Sequence, residues 1–152
     1  MKKLLLTAIL ILSSASMVSA NAEDDFNGHY YELIDGDGID WASAHDYCVE
    51  HGGHLATITS AAEQRFIEKL LRQGTKDFYW LDSMFTNDGY GWGWITNEDF
   101  NYENWSLEYT RRHLGEGKYF GLICRTGEFG SWDAAVYNDN IKKCGFICEW
   151  DE

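Results

Sequence analysis

The 152-residue sequence contains no proline. A cis-proline turn is therefore excluded throughout the chain. Positive charge is also scarce, because 12 Lys and Arg residues stand against 25 Asp and Glu residues, a formal net charge of −13. This surplus repels phosphate backbones and argues against nucleic acid as a partner. Cations, basic proteins and neutral ligands such as glycans remain compatible with it.

Only the first residues contain a long apolar run, Leu4–Leu12, and it is too short to span a bilayer. It follows the basic pair Lys2–Lys3 and precedes small residues, a pattern that predicts a bacterial-style secretory signal peptide over residues 1–20. Cleavage is expected after Ala20, with Ala22 as the alternative. The mature chain would be one domain of about 130 residues, secreted or periplasmic, with no membrane span.

Catalytic signatures are absent as well, since the sequence has no HExxH, nucleophile elbow or P-loop. We therefore expect a binding protein rather than an enzyme. A secreted hydrolase is the alternative from a different class, because carboxylates are plentiful and five histidines are available: His29, His45, His51, His54 and His113.

All four cysteines lie in the predicted mature chain: Cys48, Cys124, Cys144 and Cys148. An even number in an exported chain predicts two disulfides, and the residues alone leave all three pairings open. Zinc binding by thiolates is the less favoured alternative, since Cys144-x3-Cys148 has no second close pair.

The stretch from Trp41 to Phe66 predicts two helices. Asp40 is a suitable N-cap for the first, which Gly52 and Gly53 should end. Ser60 and Glu63 form a capping-box pattern at the start of the second. An apolar stripe follows on that helix: Phe66, Ile67, Leu70 and Leu71.

The remaining pattern predicts short strands and one long loop, and hence an α+β fold. Residues 21–27 are expected to be frayed. Strands are expected at 29–33, 78–81, 92–95, 119–123, 132–137 and 145–150. Residues 96–118 show no periodicity but contain several aromatic residues, and long loops of this kind are usually functional.

Several motifs together resemble the C-type lectin-like domain over about residues 26–151. They are Trp41-x2-Ala44-x3-Cys48, Gly53-His54-Leu55-Ala56-Thr57-Ile58, Ser60-x2-Glu63, Tyr79-Trp80-Leu81, Trp92-x-Trp94, Asn104-Trp105, Trp132-Asp133 and Phe146-Ile147-Cys148-Glu149. The resemblance implies a double-loop fold with paired terminal strands, two flanking helices and a long projecting loop. It also implies a Cys48–Cys148 disulfide. Cys124 and Cys144 are displaced from the family's second pair, and a bond between them is the remaining expectation.

In this family, sugar binding resembles calcium coordination by carboxylate and amide oxygens of the long loop. The resemblance places Glu108 near one ligand position, but Tyr109 and Thr110 replace the proline and amide, and Arg111 and Arg112 add positive charge. Glu116 lies near a downstream ligand position, and Asp133 keeps one oxygen of the usual Trp-Asn-Asp. The usual calcium–sugar site is thus degraded.

We therefore expect recognition of a glycan or protein surface through residues 96–118, with Tyr102 and Tyr109 as candidate contacts and no required cofactor. A calcium-dependent lectin is the alternative. The resemblance also implies a second, structural calcium site, whose ligands would be the Thr57 carbonyl, Glu63 and Glu149. Glu63 as a purely structural capping residue is the competing interpretation.

Overall fold

The computed structural model describes residues 22–86, 90–111, 114–136 and 144–152. The predicted signal peptide lies outside the described residues, as do Arg112, His113 and Tyr137. Predictions that concern them therefore stay predictions. Among the described residues, no helix is both long enough and apolar enough to cross a membrane.

Within those residues the chain forms eight strands and three helices, which confirms the α+β class. In chain order they are β1 (Ala22–Phe26), β2 (His29–Ile34), α1 (Trp41–Glu50), β3 (His54–Leu55), α2 (Ala61–Leu71), β4 (Phe78–Thr86), β5 (Gly91–Trp94), α3 (Leu107–Arg111), β6 (Tyr119–Cys124), β7 (Trp132–Ala135) and β8 (Cys144–Asp151).

The strands belong to one sheet of order β1-β2-β8-β4-β6-β7, with β3 on β8 and β5 on β4. The first and last parts of the described chain meet in it, since His29 lies opposite Asp151 in the antiparallel β2–β8 pair. The expectation that residues 21–27 are frayed is wrong for the described part. Ala22–Phe26 pairs with β2 through a tight turn in which Asn27 and Gly28 have positive φ.

Both helix starts form at the predicted residues. Asp40 Oδ1 accepts the Ser43 amide at 2.9 Å, and Ser60 Oγ accepts the Glu63 amide at 3.1 Å. The reciprocal half of the capping box differs from the pattern, because the Glu63 carboxylate accepts the Thr59 amide at 2.8 Å. This shift turns Glu63 inward, where it is 6% exposed.

The sheet is covered on both faces. One buried cluster includes Tyr31, the apolar stripe of α2, Tyr79 and Trp132. The other surrounds Trp41 of α1 and includes Trp80, Phe120 and Phe146. Successive residues at the start of β4 thus point into different buried clusters, so Phe78–Leu81 is a continuous apolar run, without the alternation of a half-exposed strand.

The disulfide between Cys48 and Cys148 forms and ties α1 to β8. The expected Cys124–Cys144 bond does not form, and both residues are free, buried thiols. Strand β4 separates them, because Phe78 is the pairing partner of Cys124 on one side and of Cys144 on the other. Two strand spacings are about 9.6 Å, which is beyond the roughly 7 Å that a disulfide can bridge between Cα atoms.

The aromatic residues of the long loop pack against the core. Trp105 forms an isolated parallel β-bridge with Trp132 of β7. The rings of Phe100 and Tyr102 contact the Trp132 ring edge-on. The loop also contains α3, which the sequence pattern did not predict. A five-residue helix is too short to show a hydrophobic period.

Candidate functional site

The first candidate surface, called here the α3 surface, consists of Leu107, Glu108, Arg111, Glu128 and Asp133. Ser106 positions it, because its amide donates to the Trp132 carbonyl at 2.8 Å and its hydroxyl accepts the Tyr109 amide at 3.0 Å. Glu128 Oε2 accepts the Leu107 amide at 3.0 Å, which attaches the turn after β6 to α3.

Two predicted loop residues meet at this surface. Glu108 and Asp133 line one cavity of about 270 Å³, together with Ser106, Cys124, Glu128 and Ser131. The carboxylates come from different parts of the chain, one from the first turn of α3 and the other from β7. They give the cavity an acidic rim, and the rest of its lining is mixed, with Phe78 and Cys124 beside the two serines.

The other predicted loop residues lie outside this cavity. Arg111 and Glu116 are exposed and do not line the cavity. The ring of Tyr109 stacks on Trp105 with centroids 4.1 Å apart, and its hydroxyl accepts a hydrogen bond from Trp92 Nε1 at 2.6 Å. Tyr102 is half-buried against Trp132. These two tyrosines therefore use part of their surface to hold the loop in place.

The second candidate site is a buried carboxylate pair at the junction of β2, α2 and β8. Glu63 and Glu149 are 6% and 1% exposed. The Tyr31 hydroxyl lies between them, 2.6 Å from Glu63 Oε1 and 3.1 Å from Glu149 Oε1. Burial and the two neighbouring carboxylates raise the Tyr31 pKa above its usual value, so the hydroxyl stays protonated and donates.

The outer oxygens of this pair also have donors. The Thr57 amide and hydroxyl lie 2.9 and 3.2 Å from Glu149 Oε2. The Thr59 amide and hydroxyl lie 2.8 and 3.1 Å from Glu63 Oε2. Burial raises the Glu149 pKa, and the bond from the Thr57 amide opposes that change.

The three residues predicted for structural calcium thus come together, but the surroundings do not fit that ion. Calcium takes six to eight oxygen ligands. Here the Tyr31 hydroxyl fills the position between the two carboxylates that an ion bridging them would need. We therefore assign calcium no role at this cluster.

The sequence patterns did not predict the groups on the other side of Glu149, which are His29, His54 and Asp151. His29 Nδ1 lies 2.7 Å from Glu149 Oε1 and 2.9 Å from Asp151 Oδ1, and His54 Nε2 lies 3.6 Å from Asp151 Oδ2. Burial lowers the His29 pKa, but the hydrogen bond and charge of Glu149 outweigh it, so the net shift is upward. The expected pairing of the terminal strands was the signal that could have placed His29 beside Asp151.

The buried carboxylate of Asp82 belongs to neither site. Asp82 is fully buried in β4, where Oδ2 accepts the Thr96 amide at 3.0 Å and Oδ1 has no hydrogen-bond partner among the described residues. Burial raises its pKa to about 7, against the opposing effect of the backbone hydrogen bond from Thr96.

Comparison with known proteins agrees with this architecture. The profile of the Lectin C-type domain family matches residues 37–150. Mouse asialoglycoprotein receptor 2 is 34% identical over 129 residues, a match that covers 83% of this chain and 38% of the receptor. The human secretory phospholipase A2 receptor is 32% identical over 87 residues, 57% of this chain and only 6% of that much longer protein.

Solved structures give the same result for the fold. Human lithostathine superposes with a TM-score of 0.73 at 19% identity, and the superposition covers 86% of this chain and 97% of lithostathine. Because the family profile matches residues 37–150, which is most of this chain, the chain belongs to the Lectin C-type domain family.

Proposed function

We propose that the chain is a secreted C-type lectin-like binding module that recognises a glycan or a protein through the α3 surface. The observation that carries the proposal is the cavity where Glu108 and Asp133 meet. The surface is held by backbone hydrogen bonds to β7, and it presents the exposed side chains of Leu107 and Arg111 beside the acidic rim. Carboxylates that accept sugar hydroxyls or basic side chains are suited to either class of ligand.

Binding without a required cofactor is part of the proposal. Calcium would need more oxygen ligands than Glu108 and Asp133 offer, the chain has no proline, and Ala134 replaces a usual carboxylate. A calcium-dependent lectin is the second candidate, favoured by the meeting of those two carboxylates at one cavity. The mouse relative is a receptor for asialoglycoproteins by name, which supports glycans as the first ligand class to test.

The test is a glycan array probed with the full chain, with EDTA and across a calcium titration. We expect EDTA-insensitive binding that the double variant Glu108→Gln/Asp133→Asn weakens at least about tenfold, the loss of roughly one charge-assisted hydrogen bond. Glu116→Gln is the matched control, because this exposed residue lies outside the cavity. Binding abolished by EDTA would favour the calcium-dependent candidate. Binding unchanged in the double variant would contradict the assigned surface.

The proposal includes export of the protein. Residues 1–20 would be the signal peptide and residues of about 26–151 the domain. The destination would lie outside the cytoplasm, either periplasmic or extracellular. It does not include catalysis. The matched family is that of the Lectin C-type domain, and the relatives include a galactose-specific lectin and an asialoglycoprotein receptor. N-terminal sequencing of the exported protein would test the cleavage position.

A further inference from the structure

Four potential metal ligands share one face of the sheet where β2 and β3 flank β8. The strand register sets this arrangement, because His29 lies opposite Asp151 and His54 lies opposite Glu149. Glu149 and Asp151 are two residues apart on β8, so their side chains leave the same face. The group therefore contains two imidazoles and two carboxylates, called here the His29 cluster.

The ligand atoms are close enough for a single ion. One nitrogen of His29 and one oxygen each of Glu149 and Asp151 all lie within 4.8 Å of one another. Tetrahedral zinc, with bonds of about 2.0–2.1 Å, separates its ligand atoms by about 3.3 Å. His29 Nδ1 lies 2.7 and 2.9 Å from the two carboxylate oxygens, each about half an ångström short of that separation. Asp151, 63% exposed, is free to move by that amount.

The surrounding residues orient the ligands in the way that metal sites require. Thr57 holds Glu149 Oε2 with its amide and hydroxyl. His54 Nδ1 lies 2.7 Å from the Leu55 carbonyl, which can only accept, so Nδ1 carries the proton and Nε2 is left to face Asp151. A histidine held by a backbone carbonyl through one ring nitrogen, with the other directed at a metal, is a common arrangement around bound ions.

The donor types decide which ion fits. Imidazole nitrogen combined with carboxylate oxygen favours zinc and similar transition metals, whereas calcium and magnesium prefer oxygen alone. From these contacts we propose that the His29 cluster binds a divalent transition-metal ion such as Zn²⁺. The ligands are His29 Nδ1, Glu149 Oε1 and Asp151 Oδ1, and His54 Nε2 contacts the second oxygen of Asp151, Oδ2, at 3.6 Å.

This site is distinct from the structural calcium position implied by the family resemblance. That position requires Glu63 and the Thr57 carbonyl, whereas the proposed ion lies between His29, Glu149 and Asp151 and leaves the Tyr31–Glu63 hydrogen bond in place. The ion would connect β2 and β8. Since it would bind the folded chain and not the unfolded one, it should stabilise the fold.

The experiment is calorimetric titration of the chelator-treated full chain with zinc chloride and, separately, calcium chloride, with melting temperatures measured in parallel. We expect one zinc ion per chain, a rise in melting temperature with zinc, and a loss of affinity of at least tenfold in both His29→Gln and Asp151→Asn. His45→Gln is the matched control. Its imidazole lies 3.3 Å from the Asp46 carboxylate and outside the cluster.

Asp151→Asn keeps the test valid if His29→Gln destabilises the metal-free protein, because Asp151 is mostly exposed at the end of β8. Cobalt substitution supplies an independent measurement, since visible absorption bands of bound Co²⁺ should appear in the parent and disappear in both variants. Unchanged zinc affinity in both variants overturns the proposal. So does an equal loss in the His45 control, or a response to calcium without one to zinc.

Discussion

At the scale of single residues, local sequence predicted those contacts whose partners lie within one turn. Asp40 and Ser60 cap their helices as expected, since the amides they accept are three residues away. The carboxylate of Glu63 could not be placed in the same way. One of its oxygens accepts the hydroxyl of Tyr31, a residue 32 positions earlier in the chain.

Asp82 provides a test of buried charge. Its folded pKa of about 7 exceeds the value of about 3.9 in an unfolded chain. The folded state therefore binds more protons between these values, and the contribution of Asp82 to stability is fully present below about pH 4 and lost as the pH rises through 7. Asp82→Asn should match the parent at pH 4 and be more stable by up to about 4 kcal/mol at pH 8.

Urea unfolding at pH 4, 6 and 8 measures this difference. The amide oxygen of Asn can still accept the Thr96 amide, so the substitution removes the charge and keeps the contact. Asp99→Asn, at an exposed position, is the control and should leave the pH profile of the parent unchanged. An advantage of Asp82→Asn that does not grow with pH would show that burial does not penalise this carboxylate.

At the scale of secondary-structure elements, β4 explains the largest error of the sequence interpretation. The residues predicted only four strand positions, 78–81, whereas β4 runs to Thr86. It lies between β8 and β6 and so keeps Cys144 and Cys124 on opposite sides of Phe78. Counting cysteines could not reveal this, because strand order depends on contacts between distant segments.

The thiols on either side of β4 can be counted directly. Burial raises the pKa of Cys124 to about 11 and that of Cys144 to about 12, so neither forms the reactive thiolate at neutral pH. We expect Ellman's reagent to detect two thiols per chain in guanidinium chloride and no rapidly reacting thiol in the native protein. No thiol after unfolding would mean that Cys124 and Cys144 are bonded to each other.

At the scale of the whole molecule, the Cys48–Cys148 disulfide closes a loop with a sequence separation of 100. In the chain-entropy model, such a loop stabilises the fold by about 4–5 kcal/mol. Cys48→Ser/Cys148→Ser should lose roughly that much free energy of unfolding in urea titrations. Reduction with dithiothreitol should destabilise the parent similarly and leave the double variant unaffected. Equal effects of the reductant on both proteins would mean that another bond is being reduced.

The sequence by itself determined the α+β class, both capped helices and the resemblance to the C-type lectin-like domain. These follow from residues close together in the chain or from motifs whose order is preserved. It also placed the Cys48–Cys148 bond, but only through that resemblance.

The tertiary structure decided what the side chains meet. It separated Cys124 from Cys144 by a strand and brought Glu108 to Asp133 at one cavity. It also placed the Tyr31 hydroxyl between Glu63 and Glu149, and gathered His29 and His54 around Asp151. The physical reason is the same in each case. Strand register and strand order set these distances. Register and order are themselves fixed by the burial of both faces of the sheet at once, which no local pattern encodes.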